Sequence, residues 1–465
     1  GGVMRNTLKK FIGDKKFYAM VLAVALPIML QNGITNFVSL LDNIMVGQVG
    51  TEQMSGVAIV NQLFFVFNLC IFGAVSGAGI FTAQFFGKND EEGIRQTLRF
   101  KYLAGVVLTA VAVLVLVLLQ TPLINLYLHD GSVEGDLELT LKYGKDYLAV
   151  MLIGLLPYAV SQVIGSTMRE TGHTVMPMLA GLAAVVVNCT GNYILIFGHF
   201  GAPVMGVVGA AIATVASRFV EMLLLIIYTA ARKTVFPAFR GVFTRLFSIE
   251  RELLKNIFKK GMPLFVNEML WAIGMSGLAM CYSKRGLAVV TGYNIASTVI
   301  NVFNIAYMAL GNAVGIIIGK YLGAGEYDEA VDIDRKLIAF SVFVGTVMGI
   351  ILLCTAGLFP RIYNTTAEAK TVARQMLMVT ACLFPFQSFM HTCYFTLRSG
   401  GKTFITFIYD SVFVCCVSFP LAFVLAEFTT LSILPIYIIC NSVEIIKAII
   451  GFVMLKKRIW INKIV

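Results

Sequence analysis

The sequence predicts an all-α membrane protein of twelve transmembrane helices in two six-helix lobes related by a parallel internal repeat. Three observations carry this. Of 465 residues, 58% are hydrophobic and only 13% are charged, about half the charged share of a soluble domain. Twelve apolar runs reach the length of roughly 20 residues needed to cross a bilayer. The second half of the chain repeats landmarks of the first in the same order.

The runs are justified in turn by what bounds them. The first, 17–46, follows the basic segment around Lys15 and Lys16. The second, 57–86, stops at Gly87-Lys88-Asn89-Asp90. The third, 102–123, begins after Arg99 and Lys101. The fourth, 147–168, stops at Arg169, and the fifth, 175–197, at Gly198. The sixth, 208–231, stops at Arg232-Lys233. The seventh, 262–282, follows Lys259-Lys260. The eighth is 291–318, and the ninth, 337–358, follows Arg335-Lys336. The tenth, 372–397, stops at Arg398. The eleventh, 404–426, follows Lys402. The twelfth, 433–455, stops at Lys456-Lys457-Arg458. Prolines inside several runs are tolerated because neighbouring helices satisfy the freed backbone groups.

The net charge of +11 comes from these connecting segments, so the orientation rule explains it and nucleic acid is not implied. With the N-terminus inside, the inner segments hold 27 lysines and arginines. The outer segments hold seven: Lys142, Lys145, Lys284, Arg285, Arg361, Lys370 and Arg374. Both termini are therefore expected in the cytoplasm of a multi-pass inner-membrane protein. Gly1 and Gly2 read as residues added before a native start at Met4, with no cleavable signal.

The most basic stretch, 232–260, divides the chain into a first lobe, 1–240 with a linker to about 260, and a second, 261–465. Ala25-Leu26-Pro27-Ile28 aligns with Gly261-Met262-Pro263-Leu264. The Gly87 loop aligns with the Gly323 loop, Leu156-Pro157-Tyr158 with Phe384-Pro385-Phe386, and Arg169 with Arg398. The offset stays between about 228 and 238. An even helix number per half inserts both halves the same way up, a plan suited to alternating access.

Enzymatic motifs are missing. Gly400-Gly401-Lys402-Thr403 fails as a phosphate loop because position 396 is Thr396. No H-E-x-x-H, no G-x-S-x-G and no metal cluster occurs. His129, His173, His199 and His391 are isolated, and the nine cysteines form no C-x-x-C pair. An integral-membrane enzyme would need a clustered constellation. No cofactor is implied.

Intramembrane polar residues are costly and point into a bundle or a wet cavity. The first helix carries Gln31, Asn32, Asn36 and Asp42; the Asp42 carboxylate can hold a proton or sodium ion, or simply reach water. Asn188 and Asn192 lie one turn apart on the fifth helix. They can offer carbonyl ligands or a packing hydrogen bond. In the second half Asn267, Glu268 and Asp410 stand out, and Glu268 has no basic residue within a turn. Arg218 with Glu221, and Lys447 with Glu444, have spacings that allow structural neutralisation.

Leu26-Pro27-Ile28-Met29-Leu30-Gln31-Asn32, Leu41-Asp42-Asn43-Ile44-Met45-Val46-Gly47 and Asn188-Cys189-Thr190-Gly191-Asn192 follow one another on this duplicated plan. In that order they resemble the multidrug and toxic compound extrusion (MATE) transporters, NorM-like or DinF-like, over nearly the whole chain. The resemblance implies two lobes in a V and exchange of small cationic or amphipathic compounds for H+ or Na+, with a monomer in lipid. It implies that Asp42 is the ion-linked aspartate, with Asn188, Asn192 and Glu268 as further coupling residues. Gln31, Asn32, Asn36, Tyr158, Asn267, Gln387 and Asp410 are the expected cavity residues. Two departures stand out: Glu268 lies closer to Pro263 than the NorM pattern, and Gln387 occupies the tenth-helix carboxylate place. A lipid-linked oligosaccharide flippase of the same superfamily is the alternative. It would favour a strongly cationic cavity.

Overall fold

The computed structural model describes residues 1–128 and 135–465; His129 lies outside them. The described residues are helical with turns and loops. A short helix, Gly2–Lys9, precedes α1 (Lys15–Gly47), α2 (Thr51–Lys88), α3 (Glu91–Asn125), α4 (Leu137–Glu170), α5 (Val175–Phe197) and α6 (Val207–Ala231). The second half holds α7 (Arg251–Ser283), α8 (Leu287–Phe303), α9 (Ile305–Gly323), α10 (Tyr327–Thr355), α11 (Ala367–Ser399), α12 (Thr403–Phe428) and α13 (Ile433–Lys456). Twelve of these helices are long and apolar enough to cross a membrane.

Two features differ from the sequence reading. The helices outrun their apolar runs: α3, α7 and α10 begin ten or so residues earlier, among charges. Arg95, Arg99, Lys101 and Lys336 are therefore helical, not loop, residues. Apolar content measures bilayer thickness, whereas backbone hydrogen bonding continues past it. The eighth run is also two helices. They meet at Asn304 (φ −81°, ψ −7°), whose side chain can compete for backbone hydrogen bonds. Within α4, residues Leu152–Gly154 tighten into a 3-10 turn, four residues before Pro157, which has no N–H to return.

The chain forms two compact units. One comprises Leu30–Thr82 and Asp90–Phe258. Its core runs through Val60, Phe64, Ile71, Leu148, Leu155 and Met168. Small residues set its helix spacing: a Cβ on Gly56 would stand 2.8 Å from Thr140 O, and one on Gly209 2.6 Å from Leu195 O. The linker after α6 is pinned to the start of α3. Arg99 is 5% exposed and donates to the carbonyls of Gly241, Val242 and Ser248 at 3.1, 3.3 and 3.0 Å. Lys101, fully buried, sits 2.6 Å from Glu170 and donates to Ser166 and Thr167.

The other unit comprises Gly1–Met29, Ala83–Asn89 and Lys259–Val465. Phe17, Val21 and Ala25 pack with Val314, Ile318 and Leu397. The repeat shows itself here as a reciprocal contact. A Cβ on Gly87 would overlap the Lys320 carbonyl, and one on Gly323 would overlap the Gln84 carbonyl. Both pairings keep one register offset, 84 with 320 and 87 with 323. The Gln84 side chain is fully buried. It donates to Ser399 O and Asn462 O at 2.9 and 3.1 Å and accepts from Ile464 N at 2.8 Å. Asp334 is buried too and accepts from Thr396 at 2.6 Å.

Candidate functional site

Asp42 occupies the last turns of α1, and Asn188 and Asn192 share one face of α5. Folding brings all three together across 146 and 150 residues of sequence. Asn188 Nδ2 donates to one Asp42 oxygen at 3.1 Å, and Asn192 Nδ2 donates to the other. The two amide oxygens, Asn188 Oδ1 and Asn192 Oδ1, are buried without a donor among the described residues. Leaving such groups unpaired costs about 1–3 kcal/mol each. A carboxylate and two amide oxygens are the atom types a hard cation takes, although here both amides turn their NH2 groups, not their oxygens, to the carboxylate. The carboxylate alone can take a proton.

Gln31 lies over α5, where a Cβ on Gly181 would stand 3.0 Å from its amide nitrogen. Asn32 and Asn36 are exposed along the same helix. Tyr158 carries the Arg218 guanidinium 5.1 Å above its ring and lies 6.2 Å from Phe67. Arg218 also donates to Gly154 O at 3.4 Å. Arg218 and Glu221 interact as opposite charges, as the i, i+3 spacing allows, without an ion pair within 4.0 Å among the described residues.

A second cluster forms in the other unit. Asn267 is 1% exposed. It donates to Asp410 at 3.0 Å and to Tyr394 Oη at 3.3 Å, and it accepts from Ser411 N at 3.3 Å. Asp410 lies where α12 is wound as π-helix, over Ile408–Val412 and again over Val414–Ser418, a widening often found at functional sites. Glu268, next to Asn267, has Arg398 and Asp410 as charged neighbours. The sequence reading named Asn267, Glu268 and Asp410 but missed Tyr394 and Arg398 as their surroundings. Gln387 stands apart and donates to Glu444 at 2.8 Å. Lys447 lies 3.9 Å from the same carboxylate and over the Phe413 ring. His391 packs by ring edges against Tyr307 and Phe395. No cluster of three or more His, Cys, Asp or Glu fit to hold a metal occurs among the described residues.

The model of the MatE family matches residues 27–194 and 263–424, most of both repeats. The chain belongs to the MatE family. Among its relatives, the "Probable multidrug resistance protein NorM" of Thermotoga maritima is 26% identical, over 90% of this chain and 88% of its own length. The "Probable multidrug resistance protein YoeA" of Bacillus subtilis is 25% identical, over 93% of each chain. The crystal structure of MATE in the bent conformation superposes with a TM-score of 0.85 over 97% of this chain and 96% of that one, at 18% identity. The family match covers ten of the twelve candidate spans among the described residues, and the protein is a multi-pass membrane transporter, not an enzyme. Both polar clusters fall on helices within the matched segments.

Proposed function

We propose that this protein is a secondary antiporter that exports small cationic or amphipathic compounds in exchange for H+ or Na+. The carrying observation is the Asp42 carboxylate gripped by Asn188 and Asn192, with two buried amide oxygens beside it that lack donors. A proton would neutralise the carboxylate. A sodium ion would take the carboxylate in place of the two NH2 donors and turn the amides to present their oxygens. An organic cation competes for the same negative charge, so ion and drug exclude one another, as exchange requires. The names of the relatives as multidrug resistance proteins support this substrate class.

On this reading the two repeats, 1–240 and 261–465, expose the site alternately to each side of a bacterial inner membrane, and both termini are cytoplasmic. The chain acts as a monomer in lipid. Glu268 serves as the second ion-linked group, and the polar residues of the first helix, Tyr158, Asn267, Gln387 and Asp410 contact substrate. A flippase for a pyrophosphate-linked sugar would need free intramembrane cations. Arg218 and Lys447 instead lie over Tyr158 and Phe413, and Lys447 is beside Glu444.

Ethidium efflux from proteoliposomes tests the proposal. A pH gradient or a sodium gradient imposed alone should drive efflux, and the active gradient identifies the ion. Efflux that ignores both gradients would overturn the antiport reading.

A further inference from the structure

A cavity of about 490 Å³ opens where the end of α10 meets the start of α11, and none of the residues of the two polar clusters lines it. Arg361, Lys370 and Arg374 line it, with Thr371, Gly357 and Leu358 between them. The three cations make no ion pair and no side-chain hydrogen bond among the described residues. Glu368 is the acid of this helix start, and it does not line the cavity. The contrast with the neighbouring outer loop is plain. There Arg285 donates to the carbonyls of Leu425, Ala426, Thr429 and Leu431, and Lys284 pairs with Glu427.

The cavity gathers three of the seven basic residues assigned to the outside. It does so against the rule that depletes that side of lysine and arginine. The first turn of α11, capped by Thr366 Oγ1 on Ala369 N, adds the positive end of a helix. Next to the charges, Leu353, Leu358, Ile362 and Met378 are exposed. The result is amphipathic: cations beside exposed aliphatic side chains.

We infer that this cavity binds the phosphate of an anionic phospholipid headgroup on the outer-facing side of the membrane. A phosphodiester matches guanidinium groups bidentately and an ammonium as a point charge. The adjoining aliphatic wall is what a diacyl chain needs and a soluble anion does not use. The inference is independent of what the protein transports.

Native mass spectrometry of the delipidated full chain, titrated with phosphatidylglycerol, tests it. Each surface charge contributes about fivefold to the affinity for anionic lipid. Arg361→Gln, Lys370→Gln and Arg374→Gln should each weaken binding about fivefold, and the triple variant about a hundredfold. The charge-preserving set Arg361→Lys, Lys370→Arg and Arg374→Lys should retain it. Melting in lipid-free detergent checks that the variants fold, and the single variants decide the matter if the triple does not. Unchanged binding by the glutamine variants overturns the site. Phosphatidylethanolamine binding as tightly as phosphatidylglycerol overturns its charge basis. Displacement of the lipid by soluble glycerol phosphate at equal concentration overturns the lipid source in favour of a free phosphate.

Discussion

Replacing Asp42 by asparagine removes one negative charge and almost no volume from the point where Asn188 and Asn192 converge. A monovalent cation about 4 Å from a carboxylate, at an effective dielectric of about 20, gains about 4 kcal/mol. Losing that weakens ion binding by about a thousandfold. The amide also takes up no proton near neutrality, so the substitution should abolish coupling whichever ion is used. Proteoliposomes carrying Asp42→Asn should therefore show gradient-driven ethidium efflux reduced about a hundredfold or more, to the passive leak. Their melting temperature in detergent should stay near that of the parent, which separates lost coupling from lost fold. Driven efflux within about threefold of the parent, under both gradients, would refute the reasoning and move the ion site elsewhere.

Other perturbations follow from contacts described above. Glu170→Gln leaves the fully buried Lys101 without its counter-charge and should cost about 3 kcal/mol; pairing it with Lys101→Met should restore much of that, as read by thermal unfolding. Asn267→Ala strands Asp410 and the Ser411 N–H at about 1–3 kcal/mol each, so hydrogen exchange over 408–418 should accelerate, and unchanged exchange would show that the π-helical stretch holds itself. Gly323→Ala drives a methyl into the Gln84 backbone carbonyl and should destabilise by about 1–3 kcal/mol. Gly33→Ala, with open space around it, should be neutral or slightly stabilising, so equal melting shifts in the two would contradict the close helix approach. His173 lies outside the spans with its ring 4.7 Å from Phe236, and burial holds its pKa below the ordinary 6.5. The unfolded chain therefore binds the proton more readily, and stability should fall as pH drops through about 6.5. His173→Gln should flatten that dependence.

The twelve spans and the duplication were legible because lipid imposes long apolar runs and connecting segments are free to hold charge. Helix ends were less legible: α3 and α10 continue through Arg95, Lys101 and Lys336, where hydropathy falls but hydrogen bonding does not. The break at Asn304 leaves no mark in hydropathy, because the apolar run 291–318 continues on both sides of it. At the candidate site, each of Asp42, Asn188, Asn192, Asn267 and Asp410 stood out singly as a polar residue in an apolar run. Their grouping did not, because partners 143 to 150 residues apart are joined by packing alone. The bond from Gln387 to Glu444 and the ion pair from Lys101 to Glu170 were invisible for the same reason. Periodicity reports which face a residue occupies, not which helix it meets.

The burial of Gln84 has a consequence for biogenesis. Its side chain finds its hydrogen bonds with Ser399, Asn462 and Ile464, the last 380 residues further along the chain. At about 5–20 residues per second of synthesis, the lower end of the second helix must wait roughly 20–75 s for those partners. Until then the Gln84 amide lacks the partners it has in the folded chain. The first half can insert early, but this corner is completed only when the residues beyond Trp460 arrive. A chain ending before Trp460 is expected to leave the Gln84 amide without Asn462 and Ile464.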